Sequence, residues 1–455
     1  MLDNNERVDE IRNKYNEFIY KNYLIEEDND YIYLKYKFII TNLCEFNPVI
    51  KIKKKSYIKE DINNDYFKNL VFNMGMIELI SYWKSTFSYN LIIECGSLND
   101  YEISFWKKIY FNGLGELRYR NKIKLSIDEF INIKCKGTRF NLSMIDKEYS
   151  NYIFPIGGGK DSIVTIETLN KSKDNYAFIM NPKKPTIGCA KVAGFLDDHI
   201  IEVYRTIDKQ LIELNNEGFI NGHTPLSAVL SFLGVIVGYL TNTKYIALSN
   251  EDSANEDNLD EEKINHQYSK SLEYENDFRE YVAKSLNIPV QYFSFLRPLN
   301  EFEIAKTFSK LDKYHKVFKS CNLGSKNEEW IWCCNCPKCL FVFTILSPFL
   351  YKDKLLEIFN ENLFEREDML DTFVDLSGHG KLKPFECVGT FEEVRYAITL
   401  TINELKDEEL PYLLKYYKDH YELEDTNNDL TKRWNNDNNL SEEQEKLLRE
   451  MVFND

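Results

Sequence analysis

Tyr152-Ile153-Phe154-Pro155-Ile156-Gly157-Gly158-Gly159-Lys160-Asp161-Ser162, running on into Ile163-Val164-Thr165-Ile166-Glu167-Thr168-Leu169, decides how the chain is read. The apolar run rich in β-branched and aromatic residues predicts a buried strand. Three glycines then allow a tight turn, because positive φ carries no steric cost for them. Ser162 is placed to cap a helix whose apolar positions Ile163, Ile166 and Leu169 recur at helical spacing. A glycine-rich turn feeding a helix start aims backbone N–H groups at one point, where the helix dipole favours an anion. The local physics therefore predicts a phosphate or pyrophosphate, with Lys160 as an added cation; a plain glycine-rich turn is the simpler alternative.

The spacing is neither the Walker G-x-x-x-x-G-K-[ST] nor the dinucleotide G-x-G-x-x-G. It resembles the S-G-G-x-D-S loop of the PP-loop ATP pyrophosphatases, with Gly157 in place of the first serine. That resemblance implies cleavage of ATP between its α and β phosphates to activate a carbonyl or carboxyl oxygen.

Alternation continues outward from the loop. A strand at 152–156 leads to a helix reaching about Ser172, and strand Tyr176–Met180 to a helix over 187–195. Strand 200–204 leads to a long apolar helix over 226–240, then to strands at 245–248 and 290–295. This βαβα order predicts an α/β core, a parallel sheet with helices on both faces and ligands beyond the carboxyl ends of the strands. Residues 151–300 form that core. Residues 1–150 read as an N-terminal α+β domain, with a strand at 31–40, a helix at 67–83 and a short strand at 91–94. Residues 301–455 read as a mostly helical region carrying a cysteine cluster.

Ser249-Asn250-Glu251 follows the strand at 245–248 and would lie beside the glycine loop if the two strands are neighbours. A helix cap opening a solvated acidic loop, 251–262, is the alternative. Asn221-Gly222-His223-Thr224-Pro225 precedes the apolar helix, with Thr224 as N-cap and Pro225 as first helical residue. His223 is left for general acid/base work or for a plain hydrogen bond. In Phe105 to Asn121 aromatics, glycines and arginines interleave. A helix stopped at Gly113 with its aromatics in the core explains most of it, while Arg118 and Arg120 could also hold phosphate.

Cys333, Cys336 and Cys339 repeat as C-x2-C-x2-C, and Cys321 can complete a tetrahedron of thiolates. Four sulfur ligands make a closed, structural zinc site. Cys334 is an alternative to Cys333, and a redox pair is a third reading. Further on, Gly378-His379-Gly380-Lys381-Leu382-Lys383-Pro384-Phe385-Glu386-Cys387 reads as a substrate loop.

The 455 residues carry 73 acidic against 57 basic side chains, a net charge of −16. A large nucleic-acid partner is disfavoured. No apolar run suits a bilayer, the opening residues do not form a signal peptide, and ten cysteines without a disulfide framework fit a reducing cytosol. Oligomeric state is open, homo-oligomers included.

Taken in order, the stretches at 78–84, 105–121, 157–162, 221–225 and 249–251, Asn265-His266-Gln267-Tyr268-Ser269-Lys270-Ser271, Leu296-Arg297-Pro298-Leu299, the cysteine cluster and 385–389 resemble the MurL family of UDP-N-acetylmuramoyl-L-alanyl-L-glutamate epimerases. The cysteine cluster separately resembles the zinc knot of the queuosine-pathway PP-loop enzymes. The family resemblance implies that a glutamyl carboxylate is adenylated by ATP and Mg2+ and inverted at its α-carbon. Gly157, Gly158, Gly159 and Ser162 would then hold pyrophosphate, Lys160 would neutralise it and Asp161 would position magnesium. Ser249, Asn250 and Glu251 would complete the nucleotide site. Arg118, Arg120, His266, Arg297, His379 and Lys383 would contact a nucleotide-sugar peptide. His223 and Cys387 lead the candidates for the base, with His379 and Glu386 behind them, and Lys383 could activate Cys387. The family carries a basic residue after Ser-Asn-Glu where this chain has Asp252. A sulfur or amide transferase using the same activation, and a nucleotide-binding sensor without catalysis, are the rival functions.

Overall fold

A computed structural model describes residues 4–58, 60–142, 147–256, 265–326, 329, 331–350, 352–380, 383–384, 386–405, 410–427 and 429–453. The chain forms two compact units, each built from three separated segments. The first comprises Met1–Ile153, Ile201–Ile246 and Leu259–Tyr292; the second comprises Phe154–Ile200, Ala247–Asn258 and Phe293–Asp455.

Eleven strands make one mixed sheet: β1 (Glu17–Glu27), β2 (Tyr31–Ile40), β3 (Cys44–Phe46), β4 (Val49–Lys53), β5 (Asn90–Ile93), β6 (Asn132–Cys135), β7 (Ser150–Pro155), β8 (Tyr176–Met180), β9 (Ile200–Arg205), β10 (Thr243–Leu248) and β11 (Gln291–Ser294). Their order is β11-β10-β7-β8-β9-β4-β2-β1-β5-β6, with β3 beside β2. The expected parallel pairing holds between β7 and β10, where Tyr152 lies opposite Tyr245 and Ile153 opposite Ile246. The sheet is not parallel throughout, because β4 pairs antiparallel with both β2 and β9.

In the first unit β2 alternates as a half-buried strand should, with Ile32, Leu34, Tyr36, Phe38 and Ile40 all buried. Each such side chain withdrawn from water stabilises the fold by about 1.5–3 kcal/mol. The helix Asp65–Trp83 covers this face. Asn64 caps it by accepting the Phe67 N–H at 2.9 Å, and all but three of its residues are buried. Gly75 is obligatory here, since a Cβ would lie 1.9 Å from the Tyr20 hydroxyl. The apolar stretch expected at 226–240 is the buried helix Leu226–Thr241, which meets the Asp65–Trp83 helix at the Phe67–Tyr239 ring contact. No helix among the described residues is long and apolar enough to cross a membrane.

Several boundaries differ from expectation, the helix expected to reach about Ser172 ending at Leu169 among them. The helix after the glycine loop starts at Lys160 with Gly159 as N-cap, so Ser162 lies inside its first turn and its hydroxyl donates to the Gly159 carbonyl at 3.0 Å. Pro225, not Thr224, is the N-cap of the apolar helix. The helix expected at 187–195 runs Lys184–Val192, starting earlier because Pro185 suits a first turn.

Candidate functional site

The second unit holds the glycine loop. Pro155 and Leu248 end the adjacent parallel strands β7 and β10, so the segments leaving them, 156–159 and 249–251, start from the same edge of the sheet. Gly158 takes a φ of +85°, and its carbonyl accepts the Lys319 N–H at 2.8 Å. A Cβ on Gly158 would approach the Lys319 carbonyl to 3.2 Å, whereas one on Gly157 meets nothing within 4 Å. Gly159 gives its helix no side-chain cap, which leaves the first-turn N–H groups without a side-chain acceptor at the cap.

Lys160 is buried, and its ammonium is bound by both Asp161 and Glu301. Burial opposes the charge on Lys160, but the two carboxylates outweigh it and raise its pKa. The pKa of Glu301 is raised as well, here towards the neutral form: burial raises it against the pull of Lys160, and Asp161 and Glu251 add to the rise. Glu301 is a residue that the sequence reading missed. It opens the helix Glu301–Ser309, capped by Asn300, whose capping box with Glu303 is the only local sign of its position.

In the 249–251 segment the Ser249 hydroxyl is buried without a hydrogen bond among the described residues. Asn250 donates to Ser294 Oγ at 2.9 Å, and Glu251 Oε1 accepts the Ser253 hydroxyl at 3.1 Å. Arg297 is fully buried and clamps this segment to the end of β11, donating to the Glu251 carbonyl at 2.8 Å and to Ser294 Oγ at 3.3 Å. Asp252 Oδ1 accepts from Asn435 at 2.6 Å. Most of the acidic loop that follows, 257–264, lies outside the described residues.

The 378–387 stretch is not drawn to one point. His379 stacks on Tyr421, centroids 4.0 Å apart, with Nε2 3.4 Å from the Tyr417 hydroxyl, and burial lowers its pKa. Lys383 pairs with Glu256, and the Cys387 carbonyl accepts from Lys338. Lys381, Leu382 and Phe385 lie outside the described residues.

Also in the second unit, the sulfurs of Cys321, Cys333, Cys336 and Cys339 all lie within 4.8 Å of one another. Cys321 and Cys336 are 4.0 Å apart, Cys333 and Cys339 3.8 Å. Tetrahedral zinc at its usual bond of about 2.3 Å sets sulfurs about 3.8 Å apart. The thiol of Cys321 is held far below its usual range by hydrogen bonds from Cys336 and Cys339, and then by the N–H groups of Cys333 and Gly324. Cys334 belongs elsewhere: its thiol donates to the Phe359 carbonyl at 3.2 Å, and burial pushes it up to about 12.

The first unit gathers a different group. The short helix Gly115–Arg120 carries Glu116, whose Oε1 accepts Arg120 Nε at 2.6 Å and whose Oε2 lies 2.8 Å from His266 Nδ1. The His223 and His266 rings sit 4.3 Å apart, tilted by 40°. Burial, then the neighbouring His266, lowers the pKa of His223 to about 4. Burial opposes ionisation of Glu116, but His266, Arg120 and His223 outweigh it and bring it down to about 2. Lys84 fixes the turn that carries His223, donating to Asn221 Oδ1 at 3.0 Å and to the Gly222 carbonyl at 2.6 Å. Arg118 donates to the Phe111 carbonyl and lies over the Phe111 ring. Glu116 was not singled out by the sequence reading; its (i, i+4) relation to Arg120 was the available signal.

No solved structure matches the chain. A UDP-N-acetyl-alpha-D-muramoyl-L-alanyl-L-glutamate epimerase of Micromonospora sp. is 33% identical over 326 residues, 70% of this chain and 72% of the relative. The protein of the same name from Xanthomonas oryzae pv. oryzae is 30% identical over 356 residues, 76% of this chain and 77% of the relative. The MurL N-terminal domain matches residues 9–295 and the MurL C-terminal domain residues 317–430. The chain belongs to the MurL family.

Proposed function

We propose that the chain is an isomerase that inverts the glutamate α-carbon of UDP-N-acetylmuramoyl-L-Ala-L-Glu, in an ATP-dependent reaction on the terminal carboxylate. The observation that carries this reading is the match of both MurL domains, in order, together with relatives named as that epimerase. The chemistry supplies a reason for ATP. A proton beside a free carboxylate resists removal, because the carbanion would adjoin an existing negative charge. ATP supplies an adenylyl group that esterifies the carboxylate and removes that charge.

The residues present fit such a nucleotide. Gly157 has open space around it, Gly158 holds the positive-φ turn and the helix at Lys160 starts without a side-chain cap. Gly157, Gly158, Gly159 and Ser162 would hold the phosphates, Asp161 would hold magnesium, and Lys160 would set the charge of the loop. The buried Ser249 hydroxyl and Asn250 and Glu251 would line the same nucleotide. His223, kept neutral by burial, suits a proton acceptor, and Cys387 is the second candidate. Arg118, Arg120, His266, Arg297, His379 and Lys383 are proposed substrate contacts. The four cysteine sulfurs fit a structural zinc ion, which would tie the 321–339 loops together.

The test is incubation with ATP, Mg2+ and UDP-N-acetylmuramoyl-L-Ala-L-Glu in deuterated water, with chiral and mass analysis. D-Glu carrying α-deuterium, with AMP released, is expected. AMP without deuterium would move the reading to a ligase or transferase, and unchanged L-Glu without AMP would end it.

A further inference from the structure

Glu116, His223 and His266 are 107 and 43 residues apart in sequence, yet one donor atom from each lies within 4.8 Å of the others. Their surroundings are largely withdrawn from solvent, with side-chain exposures of 11% for Glu116 and 8% for His266. From this geometry we infer that the three residues bind a divalent first-row transition ion of the zinc, cobalt or manganese class. One carboxylate oxygen and two imidazole nitrogens would be the ligands.

Glu116 offers a single defined oxygen, because Arg120 engages the other at 2.6 Å and leaves Oε2 facing His266 at 2.8 Å. Outer partners of this kind orient metal ligands. Lys84 fixes the turn beside His223 through Asn221 and Gly222. The 40° tilt between the imidazoles lets their nitrogens converge, which a flat stack would not. Metal–ligand bonds of about 2.0–2.2 Å require donors roughly 3.0–3.6 Å apart. The Glu116–His266 edge is near that already at 2.8 Å, and with every edge within 4.8 Å none would need to close by more than about 1–2 Å on binding.

A hydrogen-bonded Glu116–His266 pair explains two of these residues. His223 adds only its charge to that pair, whereas an ion uses a donor atom from all three residues. The mixed nitrogen and oxygen set favours such ions over the all-oxygen preference of magnesium and calcium. Three protein ligands also leave a coordination position open. Lys84 and Lys270 lie close enough to act electrostatically on His223. With only Glu116 supplying negative charge to the ion, the open position suits an anionic oxygen ligand such as a carboxylate. This inference does not depend on the epimerase reading; an imidazole nitrogen that binds the ion cannot also accept a proton, so with the ion in place Cys387 is the proton acceptor and His266 meets the ion rather than the substrate.

The test is cobalt titration of the full chain with the cysteine-held metal left in place, following visible absorption and total metal by mass spectrometry. One further equivalent is expected, with the weak bands of a nitrogen/oxygen cobalt centre rather than intense thiolate bands. His223→Gln and His266→Gln should each weaken uptake of that equivalent by at least about tenfold while the cysteine-held metal stays. The wild-type titration decides the matter even where a variant does not fold: no saturable equivalent beyond the cysteine site overturns the inference. Folded variants that bind cobalt like wild type overturn it too.

Discussion

The cysteine cluster and the Glu116–His223–His266 group are both sets of donor atoms within 4.8 Å, but the chain builds them in opposite ways. Three of the four cysteines fall within seven residues, so one loop turns them inward, and N–H groups of the same loops point at their sulfurs. The other group draws on residues spread over 151 positions, each held by a separate contact: Arg120 for Glu116, Glu116 for His266, Lys84 for the turn before His223. Local construction suits the first to a closed site that would tie its own loops together. Assembly from distant parts makes the second dependent on the folded unit rather than a maker of it.

That contrast predicts unequal sensitivities. The largest effect belongs to the cysteines: Cys336→Ser, or a strong chelator, should unfold the 321–346 region, read as lost near-UV dichroism and a melting temperature lower by roughly 10 °C or more. Glu301→Ala comes next, because it leaves the buried Lys160 ammonium with Asp161 alone. Denaturant unfolding should show a loss of about 3–5 kcal/mol, together with lost turnover. His266→Gln should abolish or strongly reduce turnover yet cost only about 1 kcal/mol of stability. A loss as large as that of Cys336→Ser would erase the distinction between the two groups.

Two smaller effects sharpen it. Glu303 is buried, and burial raises its carboxyl to about 8 against an ordinary 4.5; Glu393 and Asp429 add to this while the Asn300 N–H opposes it. The native state therefore holds a proton that the unfolded chain has released. The stabilising contribution of this group is lost as pH rises from about 4.5 to about 8. Glu303→Gln should remove that decline and stabilise the protein at pH 8 relative to pH 5 by on the order of 1 kcal/mol; equal slopes for both proteins would refute the assignment. Gly157→Ser should change stability by less than about 0.5 kcal/mol and leave turnover intact, since its Cβ meets nothing within 4 Å. Gly158→Ser, at φ +85°, should do worse on both counts.

Much of the scaffold was legible where the pattern is local. Tyr31–Ile40 alternates cleanly and Tyr176–Met180 is a bounded apolar run, and both form strands with those limits. Glu17–Glu27 was not legible, because an irregularity between Tyr20 and Asn22 breaks its alternation and Lys21 and Asn22 are exposed. The helix start at Lys160 escaped because an extended glycine takes the N-cap position that a serine usually signals. Cysteine spacing announced its cluster, and the fate of Cys334 turned on a carbonyl at Phe359 that no local pattern indicates. His379 read as a loop residue because its stacking partner, Tyr421, lies 42 positions downstream. Glu116 and Glu301 stayed hidden because their meaning lies in partners that only the fold supplies.

The two compact units are each stitched from three stretches of chain, and this has a consequence for biosynthesis. The first unit lacks its last stretch until Tyr292 has been made, and the second lacks most of its mass until well after that. A nascent chain emerging from the ribosome cannot close its first body from one continuous stretch, as tandem domains do. Nearly two-thirds of the polypeptide must be made before either body can close.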